Sequence, residues 1–290
     1  MKIERDFYTR DTLTVAKELL GQYIVRNYKG KLIIGKIVET EAYIGPKDKA
    51  SHAYSKKLQS LKEKIKVINE NWNRIKQYVD NKDDFIKRIL RCKKCKVTKR
   101  NLAEYLRGGH IYIYLIYGNY YQLNITTFKE GYPECVLIRS LEPIPQMNAD
   151  TTQMNADNKS RIKYELDELD TNDKTRIRYE LNELDTNDLH TDKVVKNLNN
   201  KNISVNQRYN PRVSAINPKG PGKVCEYLKL DQAFWGEDLC NSKRIWLEYG
   251  EKIKDSEIVK TKRIGIDYAE EYKNKLWRFY IKNNRWVSKK

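Results

Sequence analysis

The stretch Ile37-Val38-Glu39-Thr40-Glu41-Ala42-Tyr43-Ile44-Gly45 alternates with a period of two. Successive side chains of an extended strand point to opposite faces, so Glu39, Glu41 and Tyr43 share one face and Val38, Thr40 and Ala42 the other. Two carboxylates and a phenol on one face are candidates for catalysis, although a solvated strand face carries the same lettering. On the N-terminal side, GQYIVRNY (21–28) and KLIIGKIVETEAYIG (31–45) are rich in β-formers, with NYKG between them, and read as a hairpin. Before that, Leu13, Ala16, Leu19 and Leu20 recur at helical spacing behind Asp11, a good N-cap, and Gly21 closes the helix. On the C-terminal side, GPKDKASHAY (45–54) places His52 in a loop nine residues after Tyr43, where it can swing toward the carboxylate face or remain merely exposed.

Further along, Leu61, Ile65, Ile68, Trp72, Ile75 and Val79 alternate spacings of four and three, which predicts an amphipathic helix over 58–79. A second apolar cluster, Phe85, Ile86, Ile89 and Leu90, folds back on it, so 56–95 reads as an inserted helical hairpin of net charge +8. HIYIYLIYGNYYQLNITT (110–127) predicts a strand pair about a turn at Gly118-Asn119, and ECVLIRSLEP (134–143) a further strand. Residues 146–200 break the pattern. QMNAD occurs twice, and SRIKYELDELDTND is followed by TRIRYELNELDTND. Two short polar copies cannot bury a continuous core, so this is a low-complexity repeat insert. From Asn210 the chain reads as folded again: GPGKVCEYLKL (220–230) as a glycine-led helix, RIWLEYG (244–250) as a strand, and KLWRFYIKNNRWVS (275–288) as a terminal strand pair.

The formal charge is +18, and the repeat insert carries −4 of it, leaving +22 on the rest. Such a surface attracts polyanions, nucleic acid before membrane. MKIERDFYTR has no apolar signal region, and no run of about 18 apolar residues occurs, so neither export nor a membrane span is expected. Five dispersed cysteines imply reduced thiols inside a cell rather than a disulfide framework. Cys92 and Cys95 form a CxxC, but a tetrahedral zinc site needs two further ligands and the chain has three histidines, so no metal is expected. At GPGK, Gly220 and Gly222 free backbone N–H groups at a helix start and Lys223 adds charge, a combination that suits a phosphate or a plain capping turn.

Taken together, DFYTRDTLTVAKELLG (6–21), IVETEAYIGPKDKASHAY (37–54), TKRN (98–101), IYIYLIYGNYYQLNI (111–125), CVLIRSLEP (135–143), GPGKVCEYLKL and RFYIKNNRWVS (278–288) resemble the alkyladenine (3-methyladenine) DNA glycosylase family, in family order. The resemblance implies a single α+β domain over 1–290, with a curved, mainly antiparallel sheet and surrounding helices like a formyltransferase C-terminal domain, interrupted by the two inserts. It implies a monomer without metal or organic cofactor, acting inside the cell on double-stranded DNA that contains damaged purines: 3-methyladenine, 7-methylguanine, hypoxanthine or ethenoadenine.

Position by position, Glu41 matches the family's general base, which deprotonates a water beside C1′ of a flipped nucleotide and stabilises the oxocarbenium-like state. Arg139 matches the residue that positions that water, or is a salt bridge to Glu41, and Ile264 matches a position whose backbone carbonyl contacts it. Glu39 is expected to be structural. Tyr43, His52 and Tyr114 match the aromatic sandwich around an electron-poor purine. Asn124 matches the residue that crowds the guanine 2-amino group. Tyr117 matches the wedge that fills the gap left by the flipped base, or packs on its own hairpin. After TKRN the family commonly has a Met-Phe pair, where this chain has Leu102 and Ala103. Two other classes fit less of the sequence: a non-catalytic DNA-binding protein on the same fold, and a related enzyme acting on RNA or a formyl-type cofactor.

Overall fold

The computed structural model describes residues 1–116, 118–144 and 216–289. The expected repeat insert at 146–200 and the wedge candidate Tyr117 lie outside the described residues.

Helix α1 (Thr12–Glu18) begins where Asp11 accepts a hydrogen bond from the Thr14 N–H at 2.9 Å, as an N-cap should. Strands β1 (Tyr23–Tyr28) and β2 (Lys31–Ile44) form the expected hairpin. Its two-residue turn puts Lys29 at φ +52° and Gly30 at φ +77°, the type I′ geometry that matches strand twist. In the stretch 56–95 lie α2 (Leu61–Glu70) and α3 (Lys82–Arg91). A capping box of Ser60 and Glu63 starts α2. The helix predicted to run to 79 stops at Glu70, and after Asn71 the chain makes one further helical turn and a 3-10 turn. Asn71 explains the break, because its side chain bonds back to the Val67 carbonyl at 2.8 Å and competes with the helical ladder. Ile68, Ile75, Phe85 and Ile89 all enter the main core.

Strands β3 (Ile111–Ile116), β4 (Tyr120–Thr126) and β5 (Glu134–Ile144) follow, then α4 (Pro221–Leu228), β6 (Ile245–Glu248), β7 (Ile258–Thr261) and β8 (Arg278–Ile281). The sheet order is β3-β4-β5-β2-β1-β6, with β8 pairing both β2 and β7, and the named ladders are all antiparallel. This is the α+β class with a curled antiparallel sheet. Strand β2 pairs β1 through Lys36 and β8 from Glu39 to Glu41, so one edge changes partner just before the two carboxylates. Its ladder with β5 slips in register on either side of Glu39, a bulge that bends the strand there.

Two expectations fail. The terminal segment supplies one strand, β8, which pairs β2 and the short β7 rather than a strand following it; the chain after Ile281 turns and lays Ser288 against Glu39 instead. Cys92 and Cys95 are joined in a disulfide rather than left as thiols, whereas Cys135, Cys225 and Cys240 are free. The chain turns sharply at the end of α3, bringing the two Cα atoms to 5.4 Å, within reach of a disulfide. The buried Lys64 ammonium braces that turn by donating to the Cys92 carbonyl at 2.8 Å.

Candidate active site

Strand register gathers the candidates. Tyr43 lies opposite Cys135, Glu41 opposite Leu137, Leu137 opposite Asn124, Asn124 opposite Tyr112, and Tyr114 opposite Gln122. Directly paired residues project to the same side of a sheet, so Glu41, Tyr43, Tyr112, Tyr114, Asn124, Cys135 and Arg139 belong to one face. The loop after β2 brings His52 back over that face, where its Nδ1 meets the Tyr112 hydroxyl at 2.6 Å.

Glu41 is fully buried and held at both oxygens. Oε1 accepts the Ile264 N–H at 2.8 Å and an Arg139 contact at 3.2 Å, and Oε2 accepts the Tyr43 hydroxyl at 2.9 Å. Ile264 therefore meets Glu41 through its amide; the carbonyl role implied by the resemblance is a different contact. Glu39 shares Arg139 with Glu41 and otherwise has partners of its own. Its Oε1 takes Arg139 Nε at 3.0 Å, Arg278 Nε at 2.7 Å and the Ser288 hydroxyl at 2.9 Å, and its Oε2 takes the Ser288 N–H at 2.7 Å. Burial on its own would lower the Arg139 pKa, but the carboxylates of Glu41 and Glu39 outweigh it and the net shift is upward. Arg139 is thus a fixed cation shared by the two carboxylates.

Around the face, the aromatics are packed but not open. Tyr43 has its hydroxyl pKa pushed up by burial and by Glu41. The His52 and Tyr114 rings lie 4.7 Å apart at 70° to each other, edge to face, which leaves no parallel slot for a flat base. Tyr114 is tied to Gln122 through its hydroxyl at 2.7 Å, and Arg100 lies over its ring at 5.5 Å. Burial, with Arg100 and Lys96 nearby, lowers His52 to about 4, so its ring is neutral at pH 7. Asn124 donates to the Tyr112 carbonyl at 3.1 Å.

Two supporting residues escaped the sequence reading. Arg263 forms a two-pronged pair with Asp48 at 2.5 and 2.8 Å, donates to the Ala42 carbonyl at 2.9 Å, and lies over the Tyr43 and Trp277 rings. It adjoins Ile264 in RIGI, and that adjacency was the available signal. Leu102 and Ala103 are fully buried in the main core. At α4, Gly222 is required by packing, since a Cβ there would come within 2.9 Å of the Tyr120 ring. Gly220 holds φ +112° at the N-cap, and the Lys223 ammonium pairs with Glu226 at 2.8 Å. A cleft of about 640 Å³ between α3 and the loop after β2, lined in part by Arg91, Tyr132 and Trp277, does not include Glu41, so the site is defined by its chemistry and not by its volume. Among the described residues no cluster of His, Cys, Asp and Glu could hold a metal ion, and no helix is long and apolar enough to cross a membrane.

A family model described as methylpurine-DNA glycosylase (MPG) matches residues 6–66, 90–174 and 193–285. A protein of Clostridium perfringens strain SM101 is 36% identical over 291 residues, and one of Natranaerobius thermophilus is 32% identical over 288; coverage is 99% or more of both chains in each case. One of Clostridioides difficile is 34% identical over 96% of this chain and 100% of its own length. All three bear the name "Putative 3-methyladenine DNA glycosylase". With an α+β fold and a buried carboxylate among aromatics, the class is that of the DNA-repair glycosylases. The chain belongs to the methylpurine-DNA glycosylase family.

Proposed function

We propose that this protein is a monofunctional DNA glycosylase that takes alkylated or deaminated purines out of duplex DNA and hydrolyses the N-glycosidic bond with a water activated by Glu41. The observation that carries it is the anchoring of Glu41: a fully buried carboxylate fixed by Arg139, Tyr43 and the Ile264 amide on the same face as a ring of aromatics. In the reaction, the bond to the purine nitrogen breaks and its electron pair leaves with the base. The water oxygen bonds to C1′, and its proton passes to Glu41. The carboxylate also faces the positive charge that develops on the sugar. The groups bonded to Glu41 are a guanidinium, a phenol and an amide, none of them an amine that could form a Schiff base, so an abasic site is the product.

Tyr43, His52 and Tyr114 would stack on the base, which requires the His52 ring to turn from its edge-on setting. Asn124 would line the floor against the guanine amino group, Tyr117 would occupy the gap in the duplex, and Gly220, Gly222 and Lys223 would meet a backbone phosphate once Lys223 leaves Glu226. We take the chain as one glycosylase domain, monomeric, with inserts at 56–95 and 146–200.

The test uses duplexes carrying 3-methyladenine, 7-methylguanine, hypoxanthine or ethenoadenine, with native protein and Glu41→Gln. Native protein releases base; Glu41→Gln binds as well but releases it roughly 100- to 10,000-fold more slowly, the range expected for loss of a positioned general base. Equal release by both sinks the mechanism. No release from any lesion favours a binding protein on this fold.

A further inference from the structure

Glu104 lies in the 3-10 turn Leu102–Tyr105 and takes no part in the chemistry above. It is 1% exposed. Its Oε1 accepts the Cys135 thiol at 3.4 Å, and its Oε2 has no hydrogen-bond partner among the described residues. The charged or titratable groups that face it are Cys135 from β5 and Asp48 from the loop after β2, with the Asn101 amide on its own turn; Asp48 is already neutralised by Arg263. Tyr105 on its own turn, and Tyr112 and Tyr114 from β3, sense its charge. No cation pairs with it among the described residues. A carboxylate so placed loses its hydration, the Cys135 thiol and the Asn101 amide offset that only in part, and burial pushes its pKa up to about 8.

The position of this acid is what gives it meaning. The Cys135 thiol that it holds also faces Asn124 Oδ1 at 3.9 Å, and Cys135 lies opposite Tyr43 in the β2–β5 ladder. Asn101 beside it donates to the His52 carbonyl at 3.2 Å. Glu104 therefore touches the floor of the base site through Cys135 and stands next to the tie that holds the His52 loop.

We infer that Glu104 is a positioning residue for purine recognition, a buried acid that sets the Cys135–Asn124 floor of the base site against the His52 wall. This rests on the glycosylase reading. The neutral acid keeps one oxygen on the thiol and leaves one buried O–H without an acceptor among the described residues, which costs less than an unpaired charge in the same place. The ionised form needs more donors than Cys135 and Asn101 supply among the described residues, so the floor must rearrange to bring water or another donor to it, and base recognition is lost with the proton.

The experiment is single-turnover release of 7-methylguanine and of ethenoadenine from duplex DNA, from about pH 6 to about pH 10, by native protein, Glu104→Gln and Glu104→Ala, with spontaneous loss subtracted. Native release falls by up to about tenfold per pH unit above the Glu104 pKa. Glu104→Gln, neutral at every pH and still an acceptor for Cys135, keeps the native rate at pH 7 to within about threefold and lacks that fall. Glu104→Ala, with no acceptor, is slow throughout. An equal alkaline fall in Glu104→Gln, no alkaline fall in the native protein, or a Gln variant as slow as the Ala variant overturns the inference. Absence of release by the native protein at any pH overturns the glycosylase reading itself, and this inference with it.

Discussion

Replacing Glu104 by Gln removes a titration while nearly preserving shape, and the consequence for stability can be worked from its surroundings. In the unfolded chain this carboxyl has its ordinary value of 4.5, and in the folded protein burial raises it to about 8. Below 4.5 both states carry the proton, and the acid adds no pH dependence. Between the two values the unfolded state is ionised while the folded state still holds its proton, so unfolding releases a proton and stability falls as pH rises. The slope is about 1.4 kcal/mol per pH unit, or roughly 3 kcal/mol by pH 7 and roughly 5 kcal/mol by pH 8, above which both states are ionised and the loss is complete. Gln does not titrate. It introduces one buried N–H₂ without a partner, a cost of about 1–3 kcal/mol that does not depend on pH. The stability of Glu104→Gln minus that of the native protein should therefore climb steadily from pH 5 to pH 8, whatever its value at pH 5. Urea unfolding at intervals of one pH unit measures it, with two-state behaviour checked at each pH. Parallel curves with a constant offset would refute the assignment of Glu104 as a buried neutral acid.

Two other outcomes are expected. Glu39→Ala strips the buried Arg278 guanidinium of its carboxylate, leaves Arg139 with Glu41 alone and removes both Ser288 bonds, so urea unfolding should show a loss of roughly 3–5 kcal/mol; a loss under about 1 kcal/mol would show that the cluster finds other partners. His52 should titrate near 4 in the folded protein against 6.5 in the unfolded chain, so it contributes stability above 6.5 that is lost as pH falls through 4, and its ring resonances should show no midpoint between pH 6 and 7.

How much of this was legible varied with the distance between partners in sequence. The alternation of VETEAY showed the carboxylate face because β2 is extended throughout, and hairpin turns such as Lys29-Gly30 carry their geometry locally. The loop histidine was visible as a candidate, but its edge-on setting against Tyr114 depends on Tyr112 and Asn101, which only the folded loop brings near. The helix over 58–79 was overread because apolar spacing continues past Asn71 while the backbone does not. Strand β7 went unseen because four residues give too few alternations to stand out. Glu104 was invisible for a related reason: in a 3-10 turn there is no period to mark a buried position, and an acid within LAEY reads as surface.

The two carboxylates of VETEAY show why composition and spacing could nominate a site without resolving it. Glu39 and Glu41 are two residues apart on one strand face, and nothing local distinguishes them. What separates them arrives from the far end of the chain. Arg278 and Ser288 converge on Glu39, and together with Arg139 they saturate its oxygens with four contacts. Glu41, one pleat further on, meets the Ile264 amide, the Tyr43 phenol and the remaining arm of Arg139, beside the aromatics rather than beneath the C-terminal segment. Glu39 ties Arg139 and Arg278 to the C-terminal segment, and losing it would break up the charge pairing that holds that segment in place. Glu41, next to the aromatic rings, has one cation and two neutral donors. The strand thus carries one acid bound into the C-terminal segment and one set among the aromatics, with Arg139 shared between them.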